Sequence, residues 1–483
     1  FSTQIEIVIP VGYKKNEVKD YLMFAHPDRK IKFVDVDIYE GIGSGLGYSL
    51  MKCEKFLQSP FIFCANDTMV KEEIPEPTMN WMGYTDSSNL EEYRAVEYDQ
   101  SYKIMDILSK GASGEYIKPY IGLSGIKDYQ LFWELMKSGQ ELGAIEIGES
   151  YGLRLMLDNR IFAKYFTWYD TGNLKSLSKV RNLFQTESDP NILDKPDEAI
   201  WFVNNKVIKY SIDKKFISNR VKRKKYLGKY VPDIIGSSKN MYVYKKVEGE
   251  VFSKYPTVEK FAYFLDWMDT FWVKKKLSPV KEKTFHKENL AFYKDKTYKR
   301  VKQYFERFEQ IDSKETINGL EIPKLSNILE KVDWSYLSNE NPFAFHGDLH
   351  FENILINDSN TQPFTLLDWR QDYGGNLEYG DIYYDFAKLN HGLIISHELI
   401  NKNHFIVRHR LSSIDFDFYR KNSLVECEVY FKEYINRKSF DYKKVEILTS
   451  LIFLNIAALH HYPYSTLLFY LGKSTLYKSL NDN

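Results

Sequence analysis

The first half of the chain alternates short apolar runs, rich in β-branched residues, with longer amphipathic stretches. The runs are IEIVIP, IKFVDVDIY, PFIFCAND and YIGLSGI, and the amphipathic stretches include YSLMKCEKFL and YQLFWELMKSG. Short β-branched runs predict strands, whereas apolar positions recurring every three or four residues predict helices. From Ile5 to about Leu183 the sequence therefore predicts an α/β layer with a largely parallel sheet.

This periodicity is lost over residues 184–199, FQTESDPNILDKPDEA, which gain Asp, Pro and Ser. Such a segment is a candidate linker. It separates a first domain at 1–183 from a second at 200–483. The second domain is expected to have a β-containing N-lobe at about 200–252 and a helical C-lobe at about 253–483.

The N-lobe is predicted to open with a strand pair, AIWFVNN and KVIKYSID, followed by a basic helix and a hairpin-like segment, MYVYKKVEGEVF. The C-lobe then shows the apolar stripe of an amphipathic helix, with the spacing i, i+3, i+4, i+7 and i+11. The stripe consists of Phe261, Phe264, Leu265, Met268 and Trp272. A late apolar segment, 447–459, is too short to span a bilayer and predicts a buried helix.

Composition narrows the class of protein. The chain has 483 residues, with 66 Lys plus Arg and 66 Asp plus Glu, so no global field favours nucleic acid or an anionic membrane. Cys53, Cys64 and Cys427 are too far apart for a disulfide framework or a metal-ligand spacing. The first residues alternate like a strand and lack the basic leader of a signal peptide. A globular cytoplasmic protein without a membrane span is therefore expected.

The sharpest motif is FHGDLHFENILI, in which Asp348 precedes Asn353 by five positions. Protein-kinase catalytic loops separate the base and a metal-binding Asn by the same interval. The apolar arms of ILINDSNTQPFTLLDW predict a hairpin that folds Asp368 back beside Asn353. A carboxylate and an amide oxygen could then hold Mg²⁺ next to a free carboxylate, as phosphoryl transfer from ATP requires.

These residues resemble the aminoglycoside phosphotransferase and choline kinase superfamily. The resemblance implies a protein-kinase-like, two-lobed α+β domain in which Asp348 is the catalytic base and Asn353 and Asp368 bind the metal. It predicts ATP and Mg²⁺ as cofactors. Two loop histidines, His346 and His350, are expected to hold the backbone rather than to act chemically.

Other residues of this half have supporting roles in the prediction. Asp381 and Asp385, in GDIYYDFAKL, are expected to cap a helix or to brace the catalytic loop. Lys209, on a predicted strand, is the candidate phosphate-binding lysine, and a solvated edge-strand lysine is the alternative. The basic run Arg220 to Lys225 could contact nucleotide phosphates, but a charged run on a helix is usually solvated.

Three segments of residues 1–180 resemble the sugar-phosphate nucleotidyltransferases, which have a Rossmann-like, GT-A-type fold. One is GIGSGLGYSLMKCEKFL with PFIFCANDTMV, another is YIGLSGIKDYQLFWELM with EIGES, and the third is FTWYDTGNLKSL. The resemblance implies that Asp67 and Asp170 bind Mg²⁺. Two strand-end carboxylates can hold the ion between an NTP α-phosphate and an incoming phosphate.

The same resemblance suggests binding residues for the nucleotide and the sugar phosphate, and these are Gly43, Gly45, Lys110, Gly122 and Glu146. Gly43 and Gly45, in the segment GSGLG, could instead simply permit a tight turn. The family's opening G-x-G-x-R…P-K loop has no counterpart between Phe1 and Tyr13. Either the sequence is truncated or this half cannot transfer nucleotides.

The two resemblances together predict a bifunctional enzyme. The C-terminal domain would phosphorylate a small sugar, polyol or amino alcohol, and the N-terminal domain would convert the product to an NDP derivative with CTP or another NTP. Such precursors serve bacterial surface polysaccharides, including capsules. The alternatives are a kinase with a non-catalytic N-terminal module and a non-catalytic nucleotide sensor.

Overall fold

The computed structural model describes most of the chain, namely residues 3–87, 91–112, 114–184, 197–357, 361–410 and 413–481. Contacts among them divide the chain into two units, Phe1–Asp194 and Lys195–Asn483. The division falls within the predicted linker at 184–199, of which residues 185–196 lie outside the described residues.

The N-terminal unit mixes short strands and helices. Its strands are β1 (Ile7–Val11), β2 (Ile31–Asp35), β3 (Phe61–Cys64), β4 (Thr68–Val70), β5 (Trp81–Tyr84), β6 (Ala95–Tyr98), β7 (Ile104–Leu108), β8 (Ile117–Ile126), β9 (Phe162–Tyr165) and β10 (Trp168–Asp170). Its helices are α1 (Lys15–Ala25), α2 (Leu46–Cys53), α3 (Tyr129–Ser138), α4 (Ala144–Ile147), α5 (Glu149–Leu155) and α6 (Leu174–Phe184). As predicted, helices separate β1, β2 and β3 and a helix follows β8, but among the described residues β3 to β8 succeed one another with no α-helix between them.

The expectation of a largely parallel sheet is wrong. The larger sheet has the order β7-β6-β8-β5-β9, and β3 also pairs with β8. Within it β5 and β9 are parallel, whereas β8 is antiparallel to β3, β5 and β6, and β6 is antiparallel to β7. The reason is the short connection between β6 and β7, since parallel neighbours need a long crossover.

The C-terminal unit has more helix. Its strands are β11 (Glu198–Val203), β12 (Lys206–Ser211), β13 (Ile234–Ser237), β14 (Met241–Lys245), β15 (Glu250–Val251), β16 (Glu315–Ile317), β17 (Leu320–Ile322), β18 (Pro342–Phe343), β19 (Ile354–Ile356), β20 (Phe364–Leu366), β21 (Gly380–Asp381), β22 (Phe405–His409) and β23 (Ser413–Phe418). Its helices are α7 (Lys214–Leu227), α8 (Val258–Asp269), α9 (Pro279–Leu290), α10 (Lys296–Arg307), α11 (Leu325–Glu330), α12 (Trp334–Ser338), α13 (Ile382–Ile394), α14 (His397–Asn401), α15 (Asn422–Arg437), α16 (Tyr442–Ala457) and α17 (Tyr464–Asn481). A π-helical turn, Ala291–Asp295, joins α9 to α10.

The first strands of this unit form an antiparallel sheet with the order β11-β12-β14-β13. The predicted β11–β12 pair is confirmed, and its two-residue turn uses Asn204 and Asn205 at φ 47° and 59°, the left-handed values that a type I′ turn needs. The hairpin expected in MYVYKKVEGEVF is wrong, because β14 stays in this sheet while β15 pairs with β19. The chain leaves the sheet near Gly249, where a Cβ would lie 2.6 Å from the carbonyl oxygen of Ile356.

The helical lobe is built around buried apolar stripes. In α8 the predicted residues Phe261, Phe264, Leu265 and Met268 are fully buried, but the helix ends at Asp269, so Trp272 lies beyond it. The predicted buried helix is α16, and it packs along α17. Within the described ranges of the chain, no helix is long and apolar enough to cross a membrane.

Candidate active sites

The catalytic-loop sequence lies between β18 and β19. A short 3-10 turn at its end, Phe351–Asn353, leads directly into β19. Leu349 and Phe351 are buried and anchor the loop in the core. The Asn353 side-chain amide donates to the Asp348 carbonyl oxygen at 2.9 Å and so ties the ends of the loop together.

The predicted hairpin after this loop is confirmed. β19 and β20 pair antiparallel with Ile354 opposite Leu366, and the Leu367 amide donates to the Asn353 carbonyl oxygen at 2.8 Å. Residues 358–360 of the predicted turn lie outside the described residues. Asp368 comes next, in the left-handed conformation with φ 55°. Such a conformation costs free energy in a residue other than glycine and is typical of functional sites.

The two acids of GDIYYDFAKL have the supporting roles expected of them. Asp381 caps α13 by accepting from the Tyr383 amide at 2.9 Å. Asp385 is fully buried and accepts from the backbone amides of His346 and Gly347 at 2.8 and 2.7 Å. It therefore fixes the backbone immediately before Asp348. Burial raises the pKa of Asp385 to about 6.

The loop histidines also act structurally. His346 is fully buried, its Nδ1 lies 3.3 Å from the Asp348 amide nitrogen, and burial lowers its pKa to about 3, which keeps the ring neutral. His350 contacts Glu352 through Nδ1 at 3.0 Å and the Asn353 amide through Nε2 at 3.1 Å. Both rings hold the loop that carries Asp348.

Asp368 is held by two cations from the N-lobe. Lys209 lies on the interior strand β12 rather than at an edge, and its Nζ is 2.8 Å from Asp368 Oδ1. Arg220 Nη1 contacts the same oxygen and Tyr242 OH. Burial raises the pKa of Asp368, but Arg220 and Lys209 outweigh it, and the pKa lies well below the usual range.

The basic run on α7 is divided: Lys222 and Lys225 are exposed, as the pattern of a solvated face predicts, whereas Arg220 and Arg223 are buried. Arg223 is fully buried and donates to backbone carbonyl oxygens on either side of the catalytic centre. Its Nη2 is 2.6 Å from the Phe345 oxygen, its Nε is 3.1 Å from the Leu377 oxygen, and Nη1 contacts the Arg370 oxygen. Three differently directed donors on one side chain are needed for these contacts, and an arginine supplies them from its five N–H groups.

Asp348 has an ion-pair partner that the sequence reasoning missed. Lys388 Nζ, on α13, lies 2.8 Å from Asp348 Oδ1. Burial raises the pKa of Asp348, but Lys388 and His350 outweigh it, so the carboxylate is ionised throughout the ordinary pH range. Lys388 lies one helical turn after Tyr384, and this position has no motif signature of its own.

The donor atoms of this site suit Mg²⁺, which prefers oxygen ligands. Both hydrogen bonds of the Asn353 amide group are made by Nδ2, which leaves its Oδ1 for a metal. The two cations on Asp368 contact Oδ1 rather than Oδ2. A second set of ligands lies nearby, because atoms of His350, Glu352 and His397 come within 4.8 Å of one another.

In the N-terminal unit the structure brings Asp67 and Asp170 together. Asp170 pairs with Thr68 across β10 and β4, and the Thr171 amide donates to the Asp67 carbonyl oxygen at 3.0 Å. A Cβ on Gly172 would lie 2.9 Å from Asp67 Oδ2 and 3.2 Å from Asp170 Oδ1. The two carboxylates therefore border one small space that a larger side chain would fill, and their oxygens suit a divalent cation there.

The other predicted N-terminal residues are spread over several elements. Gly122, at φ 70°, packs on Ala65 beside the Asp67 loop. Lys110 lies exposed in the turn after β7, and Glu146 lies exposed on α4. The hydrogen bonds and ion pairs of the described residues do not join Lys110 or Glu146 to the carboxylate pair.

Gly43 and Gly45 of GSGLG differ in their surroundings, and Gly45 allows the start of α2 to approach α4. A Cβ on Gly45 would lie 2.3 Å from the Ile145 carbonyl oxygen, whereas one on Gly43 would meet nothing within 4 Å. Gly43 has φ 85°, so it serves a turn into α2.

Sequence reasoning also missed Glu149, a buried acid whose pKa is raised to about 7 by burial.

The C-terminal geometry is that of a kinase, and its sequence agrees. Residues 284–394 match the model of the phosphotransferase enzyme family. This segment begins in α9, ends with α13 and contains Asp348, Asn353 and Asp368. The protein is therefore an enzyme with a phosphotransferase domain in its C-terminal unit. No curated protein matches the chain.

Solved structures similar to this chain include three nucleotide-transferring enzymes. CTP:phosphocholine cytidylyltransferase from Streptococcus pneumoniae is 14% identical, with 38% of this chain and 80% of that chain covered and a TM-score of 0.32. The inositol-1-phosphate CTP transferase from T. maritima is 16% identical over 37% and 75%, with a TM-score of 0.30. A putative glucose-1-phosphate thymidylyltransferase from Bacillus anthracis is 17% identical over 40% and 79%, also with a TM-score of 0.30.

Proposed function

We propose that the chain is a bifunctional enzyme that phosphorylates a small hydroxyl compound with ATP and then joins the phosphate to a nucleotide. The observation that carries the proposal is the C-terminal hairpin, which sets Asp368 beside Asn353 through the 2.8 Å bond from the Leu367 amide. The loop that carries Asn353 also carries Asp348. Positioning and charge stabilisation supply most of the catalysis in phosphoryl transfer.

In the kinase reaction the acceptor hydroxyl would donate to the Asp348 carboxylate. The hydroxyl oxygen bonds to the γ-phosphorus, the bond to the β–γ bridging oxygen breaks, ADP leaves, and the proton passes to Asp348. A carboxylate with a lowered pKa is a weak base, so Asp348 mainly orients the hydroxyl. Asn353 and Asp368 would hold Mg²⁺, which neutralises charge on the transferred phosphate. Lys209 would contact the nucleotide phosphates.

In the N-terminal unit, Asp67 and Asp170 would hold a divalent cation beside Gly172. There the new phosphate ester attacks the α-phosphorus of an NTP and releases pyrophosphate. We propose CTP as the NTP, an activated precursor of a surface polysaccharide such as capsule as the product, and the cytoplasm as the location. Gly122 packs on the loop that carries Asp67, and this proximity supports a role at the sugar-phosphate pocket.

Paired variants test the proposal. The protein is incubated with ATP, CTP and a panel of sugars, polyols and amino alcohols, and products are followed by phosphorus NMR. Asp348→Ala should lower the rate of ATP-dependent phosphorylation by about 10³-fold, because it removes the positioning carboxylate. Asp67→Ala should stop pyrophosphate release from CTP and the purified phosphorylated acceptor while phosphorylation continues.

Asp266→Ala is the matched control, since Asp266 is exposed on α8. It should change neither rate. Near-normal phosphorylation by Asp348→Ala would refute the kinase assignment. Phosphorylation by the unaltered protein with no consumption of CTP and no pyrophosphate release would leave a kinase with a non-catalytic N-terminal unit.

A further inference from the structure

Cationic side chains of the helical lobe gather beside the catalytic loop, around the rings of Phe292 and Tyr384. The cation cluster, as we call it, consists of Lys296, Arg300, Arg370 and Lys388. Lys296 Nζ is 3.3 Å from Tyr384 OH and 4.4 Å from the Phe292 ring centroid. The Arg370 guanidinium is 4.9 Å from the same Phe292 centroid. The cluster therefore concentrates positive charge at one place.

This charge is not balanced by the protein. Asp348 pairs with Lys388, but among the described residues no Asp or Glu forms an ion pair with Lys296, Arg300 or Arg370. All three are only partly exposed. Placing like charges together in a half-buried site costs stability unless counter-charges offset it. The fold accordingly retains an arrangement that an anion would stabilise.

The pKa values of Lys296 and Tyr384 are shifted by the same concentration of positive charge. Burial, together with Arg370 and Lys388, lowers the pKa of Lys296 to about 8. Burial raises the pKa of Tyr384, but Lys296 and Lys388 outweigh it and bring that pKa down to about 8. A phenol with such a pKa indicates a strongly positive local potential.

Local backbone structure sets the position of the cluster. The π-helical turn Ala291–Asp295 places Phe292 and ends where Lys296 begins α10. Single π turns inside helices occur often at functional sites. The Arg370 stem crosses Gly347, where a Cβ would lie 2.7 Å from Arg370 Cβ. The Arg370 side chain thus passes over Gly347, the residue before Asp348, and reaches the cation cluster.

The cluster lies on the acceptor side of the centre. The N-lobe cations Lys209 and Arg220 contact Asp368, the residue proposed to bind the metal and hence the nucleotide phosphates. The cluster instead contacts Asp348 through Lys388, and Asp348 must meet the acceptor hydroxyl. Two separate groups of cations therefore flank the two carboxylates.

We infer that the acceptor of the kinase carries an anionic group, a carboxylate or a phosphate, which Lys296 and Arg370 bind while its hydroxyl reaches Asp348. The inference rests on the proposed kinase function and narrows its substrate class. It disfavours choline and other cationic acceptors, because the cluster would repel them.

The experiment measures anion binding to the full chain with the nucleotide site saturated by Mg²⁺ and a non-hydrolysable ATP analogue. Inorganic phosphate and acetate are titrated separately by calorimetry, and the anion that binds more tightly shows whether the group is a phosphate or a carboxylate. Lys296→Met and Arg370→Met should each weaken this binding at least about tenfold. Lys299→Met, an exposed lysine on the same helix, should leave it unchanged.

The outcomes separate the inference from the function on which it rests. No saturable binding of either anion, or an equal loss in Lys209→Met, would overturn the inference. Phosphorylation of choline at least as fast as of glycerate or glycerol 3-phosphate would also overturn it. Intact anion binding without phosphorylation of any acceptor would instead refute the kinase function. In the absence of ligand, Lys296→Met should keep or raise the melting midpoint, because it removes an unpaired cation.

Discussion

The two carboxylate sites of this chain stabilise their negative charges in different ways. In the C-terminal unit, Asp348 and Asp368 each have protein cations within ion-pair distance. In the N-terminal unit, Asp67 is exposed and Asp170 half-exposed, and among the described residues neither forms an ion pair with a lysine or an arginine. Tyr93 OH donates to Asp170 at 3.1 Å.

The difference follows from burial. Lys209 and Arg220 are buried, and a cation removed from water needs a counter-charge, which Asp368 supplies. An exposed carboxylate such as Asp67 is instead stabilised by solvent. The two C-terminal carboxylates are therefore already paired with protein cations, and the nucleotide and metal must displace or share the contacts of Lys209 and Arg220. The N-terminal pair stays in repulsion until a cation joins it, so its organisation depends on the metal.

Removing one cation from the buried site should give the largest stability effect. Arg220→Met leaves Asp368 with Lys209 alone, and we expect the free energy of unfolding of the C-terminal unit to fall by about 3 kcal/mol. Asp67→Asn, which removes an exposed charge, should change the stability of the N-terminal unit by less than about 0.5 kcal/mol. Urea unfolding of the full chain measures both.

A double variant makes the test specific. Arg220→Met combined with Asp368→Asn also takes the counter-charge from Lys209, which is buried, so the double variant should be less stable than Arg220→Met alone. Equal effects of Arg220→Met and Asp67→Asn would mean that burial does not distinguish the two sites.

Sequence motifs were sufficient to predict how those site residues that are close together in the chain are arranged. Asp348, Asn353 and Asp368 lie on one loop and one hairpin, whose turn and strand patterns are local. The brace at Asp385 was also expected, because an acid at the start of a helix can accept backbone bonds.

The partners that neutralise these acids could not be predicted. Arg220 meets Asp368 across 148 positions of sequence, and its neighbours made it look like part of a solvated basic face. Lys388 and Lys296 fall on helices whose patterns predict packing only. Which charged residue of a helix is buried depends on tertiary packing, which local periodicity does not encode. The sheet direction of the N-terminal unit was missed for a different reason, because the short connection between β6 and β7, which favours an antiparallel pair, was overlooked.

The glycine-rich turn of the N-terminal unit offers a second comparison, between two glycines of one motif. Gly45→Ala should destabilise that unit by about 2 kcal/mol, since its Cβ would lie 2.3 Å from the Ile145 oxygen. Gly43→Ala should cost only about 1 kcal/mol, the penalty of a left-handed backbone. Urea unfolding is the measurement. An unchanged stability in Gly45→Ala, with weakened nucleotide binding, would return Gly45 to a direct binding role.

One acid of the C-terminal unit, Asp381, has a pKa that moves in the opposite direction to those of Asp348 and Asp368. Burial raises the pKa of Asp381 from near 4 to about 7. Between these values the folded state holds a proton that the unfolded state has lost. The Asp381 contribution to stability is therefore present below about pH 4 and is lost as the pH rises to about 7.

Asp381→Asn should remove this contribution and flatten the fall in unfolding free energy between pH 4 and 7 by about 1 kcal/mol per pH unit. Asn can still cap α13, because its side-chain oxygen accepts from the Tyr383 amide. Asp385, with a pKa raised to about 6, should leave a residual slope below that pH. Urea unfolding at several pH values measures the slopes. If the variant kept the full slope up to pH 7, the proton would belong to another group, and Asp381 would be ionised in the folded unit like Asp348 and Asp368.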